Sequence, residues 1–255
     1  PAAGGLVGYV AGSGGKIKES FATGAVTAAR SAGGLVGSAN TSFTIEDSYA
    51  TGAVTVSVLF NTSSHAGSIY GGYFRGASLI RVYGAGAVSN PNRTTSDQIG
   101  PLVGRTGSSA TNSFWSAGTV GTFTNPVLVN GSTGLSLTEM LQEASFTGWD
   151  FTNVWKIDQG QSFPYLRNAQ QIPSPKPVLP VDEDQLVILT NYDGTGDAPT
   201  PEIYLGAGVI GVDADNVTEF NEVLASLPTQ ERQTSAQINK MVAIYTEVSG
   251  GLNRD

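Results

Sequence analysis

The sequence predicts a mainly β protein: a β-solenoid, or β-helix, of about four glycine-rich coils with a C-terminal cap, followed by a small α-helical module. One short motif occurs four times, and 33 glycines with only 13% charged residues suit short strands and tight turns. Residues 1–172 carry 9 basic and 8 acidic side chains, whereas residues 173–255 carry 4 and 13. These changes place the repeats at 1–130, an aromatic-rich capping segment at 131–171, a proline-rich linker at 172–180 and an acidic, mostly helical module at 181–255.

Two motifs define the repeat. AGGLVG occurs unchanged at Ala3–Gly8 and Ala32–Gly37, and degenerate copies follow as AGSIYG and IGPLVG. Each copy is followed by a second motif, which reads SFATGAV, SYATGAV, VYGAGAV and FWSAGTV in turn. Aligning both motifs gives four predicted structural ladders: Leu6, Leu35, Ile69, Leu102; Ile17, Ile45, Leu79, Thr111; Phe21, Tyr49, Tyr83, Trp115; and Val26, Val54, Val88, Val120.

Stacking explains why such a unit should coil. A unit this short cannot bury its apolar face alone, but stacked copies turn the aligned columns into continuous internal ladders. The aligned glycines fit corners, where a close neighbouring backbone or a positive φ excludes a Cβ. The extra length in later copies falls in the polar stretches 61–65 and 90–97, which we expect to be loops. A β-propeller is the competing fold, but its blades need about forty residues and four strands each.

The repeat resembles a known family. AGGLVG followed by SYATGAV is similar to the GLUG repeat of large bacterial secreted and surface adhesins, which include filamentous-haemagglutinin-type proteins exported by two-partner secretion. The resemblance implies a non-catalytic structural or adhesive segment at the cell surface or in a biofilm matrix.

The segment after the repeats has the features of a cap. Residues 133–167 resemble the stretch that closes such arrays, and Ser136 with Glu139 predicts a capped helix over Leu137–Ala144. Bulky apolar side chains follow, and we expect them to cover the open edge of the last coil. The principal cap residues are Trp149, Phe151, Trp155, Phe163 and Tyr165.

The linker and the acidic module differ from the repeats in pattern. Residues 172–180 hold four prolines, which favours an extended spacer. Gln185–Thr190 is a short apolar strand candidate, and from Pro201 the apolar spacing becomes helical. We expect Asp213 or Asp215 to cap the second of these helices, Pro228 to end it, and Thr234 or Ser235 to cap the third. The stretch from Tyr204 resembles small helical modules of large bacterial surface proteins.

Catalytic chemistry finds little support in the sequence. There is no cysteine, and the single histidine, His65, lies in a predicted polar loop. No motif of a serine hydrolase or zinc protease occurs, so we expect no catalytic residues and no enzyme activity. Asp193 and Asp197 are weak calcium candidates because glycines allow a tight loop there, but a plain Asx turn is the preferred interpretation. Calcium is the one cofactor that the sequence suggests.

Three functions remain open at this stage. The preferred one is a rigid stalk with a glycan- or cell-binding surface, for which Tyr9, Tyr70, Tyr73 and Phe74 could stack on sugars if they are not in the core. The others are an extracellular filament of self-assembling copies and a β-helical polysaccharide-processing enzyme, which would need clustered carboxylates. The ligand itself is unknown. Acidic charge and the lack of a long apolar run predict no nucleic acid partner and no membrane insertion.

Overall fold

The computed structural model describes residues 2–12, 14–57, 63–72, 74–91, 98–117, 120, 125–169 and 181–252. The predicted linker at 172–180 and parts of both predicted loops lie outside these residues. The chain forms two compact units: Pro1–Asp158 with Ser162–Pro177, and Gln159–Gln161 with Val178–Asp255.

The first unit is a β-solenoid of about three turns, which confirms the predicted fold class with slightly fewer coils than expected. Its strands pair in parallel with their counterparts in the next turn, except for one short antiparallel pair in the capping segment. One sheet contains four strands, one from each of four successive passes of the chain. The strands are β1 (Ala2–Gly4), β2 (Val7–Val10), β3 (Lys16–Lys18), β4 (Phe21–Ala22), β5 (Val26–Ala28), β6 (Ser31–Gly33), β7 (Val36–Ala39), β8 (Phe43–Ala50), β9 (Val54–Val56), β10 (His65–Gly67), β11 (Ala77–Gly84), β12 (Val88–Ser89), β13 (Gln98–Gly100), β14 (Ser109–Thr111), β15 (Ser113–Ser116), β16 (Ser132–Leu135), β17 (Trp155–Lys156) and β18 (Tyr165–Leu166).

Four sheets form the wall of the solenoid, and the smallest of them is the parallel pair of β2 with β7. The other three are β1-β6-β10-β13, then β5-β9-β12, and a long sheet in which β8 and β11 are central. The leucine column stacks by backbone bonds at the corner, because the Leu6 N–H donates to the Leu35 carbonyl at 3.0 Å and the Leu35 N–H to the Ile69 carbonyl at 2.9 Å. The valine column lies in one core cluster, where Val54 and Val120 are fully buried. Both columns are therefore internal ladders.

One backbone feature reverses the side-chain alternation in the middle of the long strands. Asp47 and Arg81 have φ of 44° and 50°, in the left-handed region, and the pairing of β8 with β11 places them side by side. A left-handed residue bends the strand and shifts the alternation of its side chains by one position, while the pairing of β8 with β11 stays one to one. Regular alternation would place Ile45 and Ala50, which are five positions apart, on opposite faces of the strand. Because of the shift, both belong to the core. Tyr49, next to Ala50, points outward.

The aromatic column is therefore an external ladder and not the internal one that the repeat predicts. The Phe21 and Tyr49 rings stack at 5.3 Å between centroids, and Tyr49 stacks on Tyr83 at 5.0 Å. Its last member is Phe114, which lies opposite Tyr83, whereas the predicted Trp115 lies opposite Gly84. The motif alignment is wrong by one residue here because the last coil has one more residue between its aromatic position and its valine than the earlier coils have.

A second column also shifts by one position at the last coil. Ile17, Ile45 and Leu79 lie in register, but Leu79 pairs with Ala110, and the predicted Thr111 pairs with Ile80. A small apolar residue thus continues this ladder, and the threonine lies on a neighbouring row.

The end of the solenoid is covered by other residues than those predicted. Strand β16 adds to β15 with Trp115 opposite Gly134, and Trp115 packs against both core clusters of the solenoid. A Cβ added at Gly134 would lie 2.7 Å from the indole of Trp115, so only glycine leaves room for the ring. Trp115 and β16 together cover the last coil.

The predicted capping segment instead covers the outward aromatic column. Trp155 is fully buried, and its ring lies 6.0 Å from Tyr49 and 6.3 Å from Tyr83. The Tyr83 hydroxyl donates to the Pro164 carbonyl at 2.7 Å, and the Trp149 indole N–H donates to the Asn112 carbonyl at 2.8 Å. Of the remaining predicted cap residues, Phe163 is buried, whereas Phe151 and Tyr165 are half-buried.

The predicted helix over Leu137–Ala144 is shorter in the structure. Helix α1 spans Leu137–Met140, and a 3-10 turn follows at Glu143–Ser145. Ser136 and Glu139 form a full capping box, in which each side chain accepts from the other residue's backbone N–H. The N-terminal signal is thus satisfied, but the helix ends after one turn.

The second unit is helical. Its helices are α2 (Glu183–Asn191), α3 (Pro201–Gly206), α4 (Val217–Ser226) and α5 (Ser235–Leu252). The strand predicted at Gln185–Thr190 is wrong, because Asp182 caps α2 through its side chain and Leu186 and Leu189 turn into the core. A short apolar run does not by itself distinguish a strand from a helix.

The predicted helix ends are largely found. Thr234 caps α5 by accepting from the Gln237 N–H at 3.2 Å. Pro228 follows the end of α4, and Asp213 accepts from the Asn216 N–H at 3.2 Å in the turn that leads into α4. The second unit is thus a small bundle around one apolar core: Leu186, Leu189, Tyr204, Ala207, Val209, Phe220, Leu224, Ile238 and Val242.

Candidate binding surface

A groove runs along the outer face of the long sheet. It has a volume of about 370 Å³ and crosses successive coils. Thr44, Ser78 and Ser109 lie in register along it, and Lys16 is the corresponding residue of the first coil. Their neighbours in each strand belong to the core, so these four side chains point outward. The groove therefore presents a column of hydroxyl groups that ends at one ammonium group.

The hydroxyl groups are close enough to act together. The Ser109 and Ser78 hydroxyl oxygens lie 3.4 Å apart, and each hydroxyl can both donate and accept. The backbones of neighbouring coils approach closely at the edge of the groove, because an added Cβ at Gly76 would lie 2.1 Å from the Gly107 carbonyl oxygen. The motif alignment did not single out this surface, although serine and threonine at these aligned positions are its visible signal.

A second hydroxyl column lies on another face of the same solenoid. Thr27, Thr55 and Ser89 are in register on the sheet of β5, β9 and β12. The Thr55 and Ser89 hydroxyl oxygens lie 3.0 Å apart. None of the three lines the groove, so this column offers the same hydroxyl chemistry in a different setting.

Two carboxylates of the second coil, Glu46 and Asp47, lie at the left-handed position of β8 and are paired with cations. Arg81 donates to Asp47 Oδ1 at 2.6 Å and to Glu46 Oε1 at 2.9 Å, and Lys16 forms an ion pair with the other oxygen of Glu46. Hydrogen bonding from Lys16 lowers the pKa of Glu46. Asp47 is only 3% exposed, and the Trp155 indole N–H lies 3.4 Å from it. This cluster has the geometry of a partly buried structural ion network, in which Asp47 is the buried member.

Burial changes the acidity of the aromatic hydroxyl groups. It raises the pKa of Tyr49 and of Tyr83 well above the ordinary value for tyrosine, and it raises the pKa of Tyr70 to about 12. The charged phenolate is disfavoured where water is excluded. These tyrosines are therefore neutral structural groups at physiological pH.

The predicted aromatic strip is divided by the structure. Tyr9 and Phe74 are exposed at 48% and 53%, but Tyr70 is fully buried, with its hydroxyl donating to the Arg75 carbonyl. Tyr73 lies outside the described residues. The described part thus offers Tyr9 and Phe74 as exposed rings, and neither of them lines the groove.

The other predicted site residues are placed as follows. His65 lies in strand β10 and is buried, so the predicted solvated loop position is wrong. The Asp193 carboxylate accepts from the backbone and hydroxyl of Thr195, as in an Asx turn, and Asp197 is exposed. Among the described residues no three histidine, cysteine or acidic side chains are grouped as metal ligands.

A larger groove of about 580 Å³ lies between α4 and α5 in the helical unit. Its lining is mainly apolar, with Glu231 and Lys240 among the few charged residues. A mainly apolar lining offers burial but no convergent set of catalytic groups. In the described part of the chain, no helix is both long enough and apolar enough to cross a bilayer.

Comparison with known proteins identifies one turn of the solenoid. Residues 28–57 match the family model described as the GLUG motif, and this stretch runs from β5 through β9. No curated protein and no solved structure shows significant similarity to the chain. Over this turn the chain is similar to GLUG-motif proteins, and the motif and the solenoid together fit a structural extracellular repeat protein.

Proposed function

We propose that the solenoid is a non-catalytic stalk of a secreted bacterial surface or biofilm-matrix protein, and that its groove binds neutral polysaccharide. The observation that supports this most directly is the column of Thr44, Ser78 and Ser109, which repeats once per coil along an open groove. Polysaccharides repeat their hydroxyl groups along a chain, and a solenoid repeats its side chains along an axis. A sugar chain lying along the groove meets a matching donor or acceptor at each coil.

The charge of the surface favours a neutral ligand. Lys16 is the one charged residue that lines the groove in the described part, and its ammonium is already paired with Glu46. An acidic polymer would need several free cations, and a nucleic acid still more. Hydrogen bonding to uncharged hydroxyl groups is therefore the chemistry the groove offers.

A catalytic function is disfavoured by the same region. A glycosidase needs two carboxylates with different proton affinities that flank an accessible substrate. Glu46 and Asp47 are instead held by Arg81, and Asp47 is buried. The filament alternative loses one of its supports, because Gln185–Thr190, which as a strand could have added to another copy, lies in helix α2.

The test is a glycan array with pull-down on insoluble polysaccharides. The groove variant replaces Thr44, Ser78 and Ser109 with alanine, and the matched control replaces Thr27, Thr55 and Ser89 with alanine. We expect the parent and the control to bind the same neutral glycan, and the groove variant to bind at least about tenfold more weakly, since three hydrogen bonds are removed.

Two results would count against the proposal. A parent chain that binds none of the arrayed glycans removes the adhesive role and leaves the stalk. If both variants weaken binding equally, the groove is not the specific binding site.

A further inference from the structure

The outer face of the first coil is unlike the same face inside the solenoid. Leu6 is 47% exposed, whereas Leu35, the next residue in its column, is fully buried. Tyr9 is 48% exposed, whereas Ser38, its partner in β7, is 3% exposed. The residues that stack in later coils are thus uncovered in the first.

The backbone of this coil is also paired on one side only. In the described residues β1 through β5 each pair with a strand of the second coil and with nothing beyond. The opposite end of the solenoid differs, because β16 adds to β15 and Trp115 covers the core. The two ends of the solenoid are therefore not equivalent.

Glycines inside the solenoid are required by the coil that precedes them. A Cβ added at Gly37 would lie 2.6 Å from the Ala3 carbonyl and from the Gly8 oxygen. One added at Gly52 would lie 2.0 Å from the Gly24 oxygen. Contacts under 3.0 Å with backbone atoms cannot be relieved by a side-chain movement, so both positions need glycine.

The equivalent glycines of the first coil lack such a reason. The nearest described atom to a Cβ added at Gly8 is the Ala2 oxygen at 3.8 Å, and a Cβ added at Gly24 meets nothing within 4 Å. Neither residue is among those with a positive φ. A glycine in this setting costs chain entropy without a local benefit.

We propose that the outer face of the first coil is a docking surface for a further coil of the same glycine-rich repeat, stacked in parallel and in register on β1 through β5. Such a coil would bury Leu6, just as the first and third coils bury Leu35. Its backbone would approach Gly8 and Gly24 as Gly8 and Gly24 now approach Gly37 and Gly52. The docking surface continues the coil-to-coil interface that already holds the solenoid together.

A second copy of this chain does not fit that surface equally well. The last coil of a copy is covered by β16 and Trp115, which blocks head-to-tail stacking. Two copies face to face cannot continue all the sheets with parallel strands, since the symmetry that relates them reverses strand direction. The occupant is therefore a further coil of the repeat and not a second copy of this chain.

The test compares one pair of substitutions in two chains. The first chain is the protein itself, and the second carries an added copy of residues 2–30 directly before Ala2. Gly8→Ala and Gly24→Ala are made in each, and Gly52→Ala is the control that should destabilise both. Thermal unfolding and amide hydrogen exchange of β1 through β5 are the measurements.

In the parent chain we expect Gly8→Ala and Gly24→Ala to change the melting temperature by no more than about 2 °C. In the extended chain each should lower it by more than about 5 °C, and the outward amides of β1 through β5 should exchange more slowly. Equal effects in the two chains, or unchanged amide exchange after the extension, would overturn the proposal. A dimeric parent that Gly8→Ala already destabilises would assign the surface to a second copy instead.

Discussion

Trp155→Ala should destabilise the solenoid unit strongly, because this indole covers the outward aromatic column. Trp155 is fully buried, and its ring lies 4.2 Å from that of Trp149 and about 6 Å from those of Tyr49 and Tyr83. Truncating a buried tryptophan to alanine costs about 3–5 kcal/mol, to which the cavity it leaves contributes. For a unit of this size the melting temperature should fall by roughly 10 °C.

The assay combines thermal unfolding with alkaline titration of the tyrosines. Burial raises the pKa of Tyr49 and Tyr83 in the folded state, so the stability they contribute is complete below the unfolded pKa near 10.0 and is lost as the pH rises through the folded pKa. Removing the indole admits water, and both hydroxyl groups should then titrate at lower pH than in the parent. Trp155→Phe retains part of the cover and should lie between the two.

Phe74→Ala is the matched control, since this ring is 53% exposed and its loss should cost no more than about 0.5 kcal/mol. The reasoning fails if Trp155→Ala costs less than about 1 kcal/mol and the tyrosines titrate as in the parent. That result would mean that the capping segment does not cover the column.

Three further predictions concern single contacts. Glu46→Gln should flatten the acid dependence of stability, because hydrogen bonding from Lys16 lowers the pKa of Glu46 in the folded state. The stability that Glu46 contributes is present above its ordinary pKa of 4.5 and is lost as the pH falls through the folded pKa. Melting temperatures that fall in parallel for both chains from pH 6 to pH 3 would contradict this. Ser136→Ala should cost about 1 kcal/mol in urea unfolding because it removes the N-cap of α1, with Ser136→Thr as the conservative control. Tyr204→Phe should cost about 1–2 kcal/mol in the helical unit, since it leaves the buried Asn221 oxygen without its 2.8 Å donor, and an unchanged urea midpoint would refute that role.

The repeat, the solenoid and most of its ladders could be predicted from the sequence. In a stacked fold each coil contacts the next in the same way, so equivalent positions of successive coils require the same type of residue. The columns of Leu6 and Val26 therefore appear as aligned apolar residues, and close backbone approach appears as aligned glycine at Gly37 and Gly52. The capping box at Ser136 is equally local, because it depends on residues three positions apart.

The hydroxyl groove was predictable only in part. Serine and threonine at aligned positions are visible in the sequence, but which face of the strand they occupy follows from the core positions beside them. The choice between strand and helix at Gln185–Thr190 was likewise not decided locally, because its run of four apolar residues suits either. Packing of Leu186 and Leu189 against the other helices decided it.

The sequence alone determined that a glycine-rich repeat coils into a β-solenoid, and only the tertiary structure decided which way its aromatic column faces. The left-handed residues at Asp47 and Arg81 turn Tyr49 and Tyr83 outward, and the capping segment then packs on them. The physical reason is that a single left-handed residue shifts the alternation of the side chains that follow it in the strand. Aspartate is enriched in that conformation but arginine is not, and the ion pair between them forms only when neighbouring coils stack.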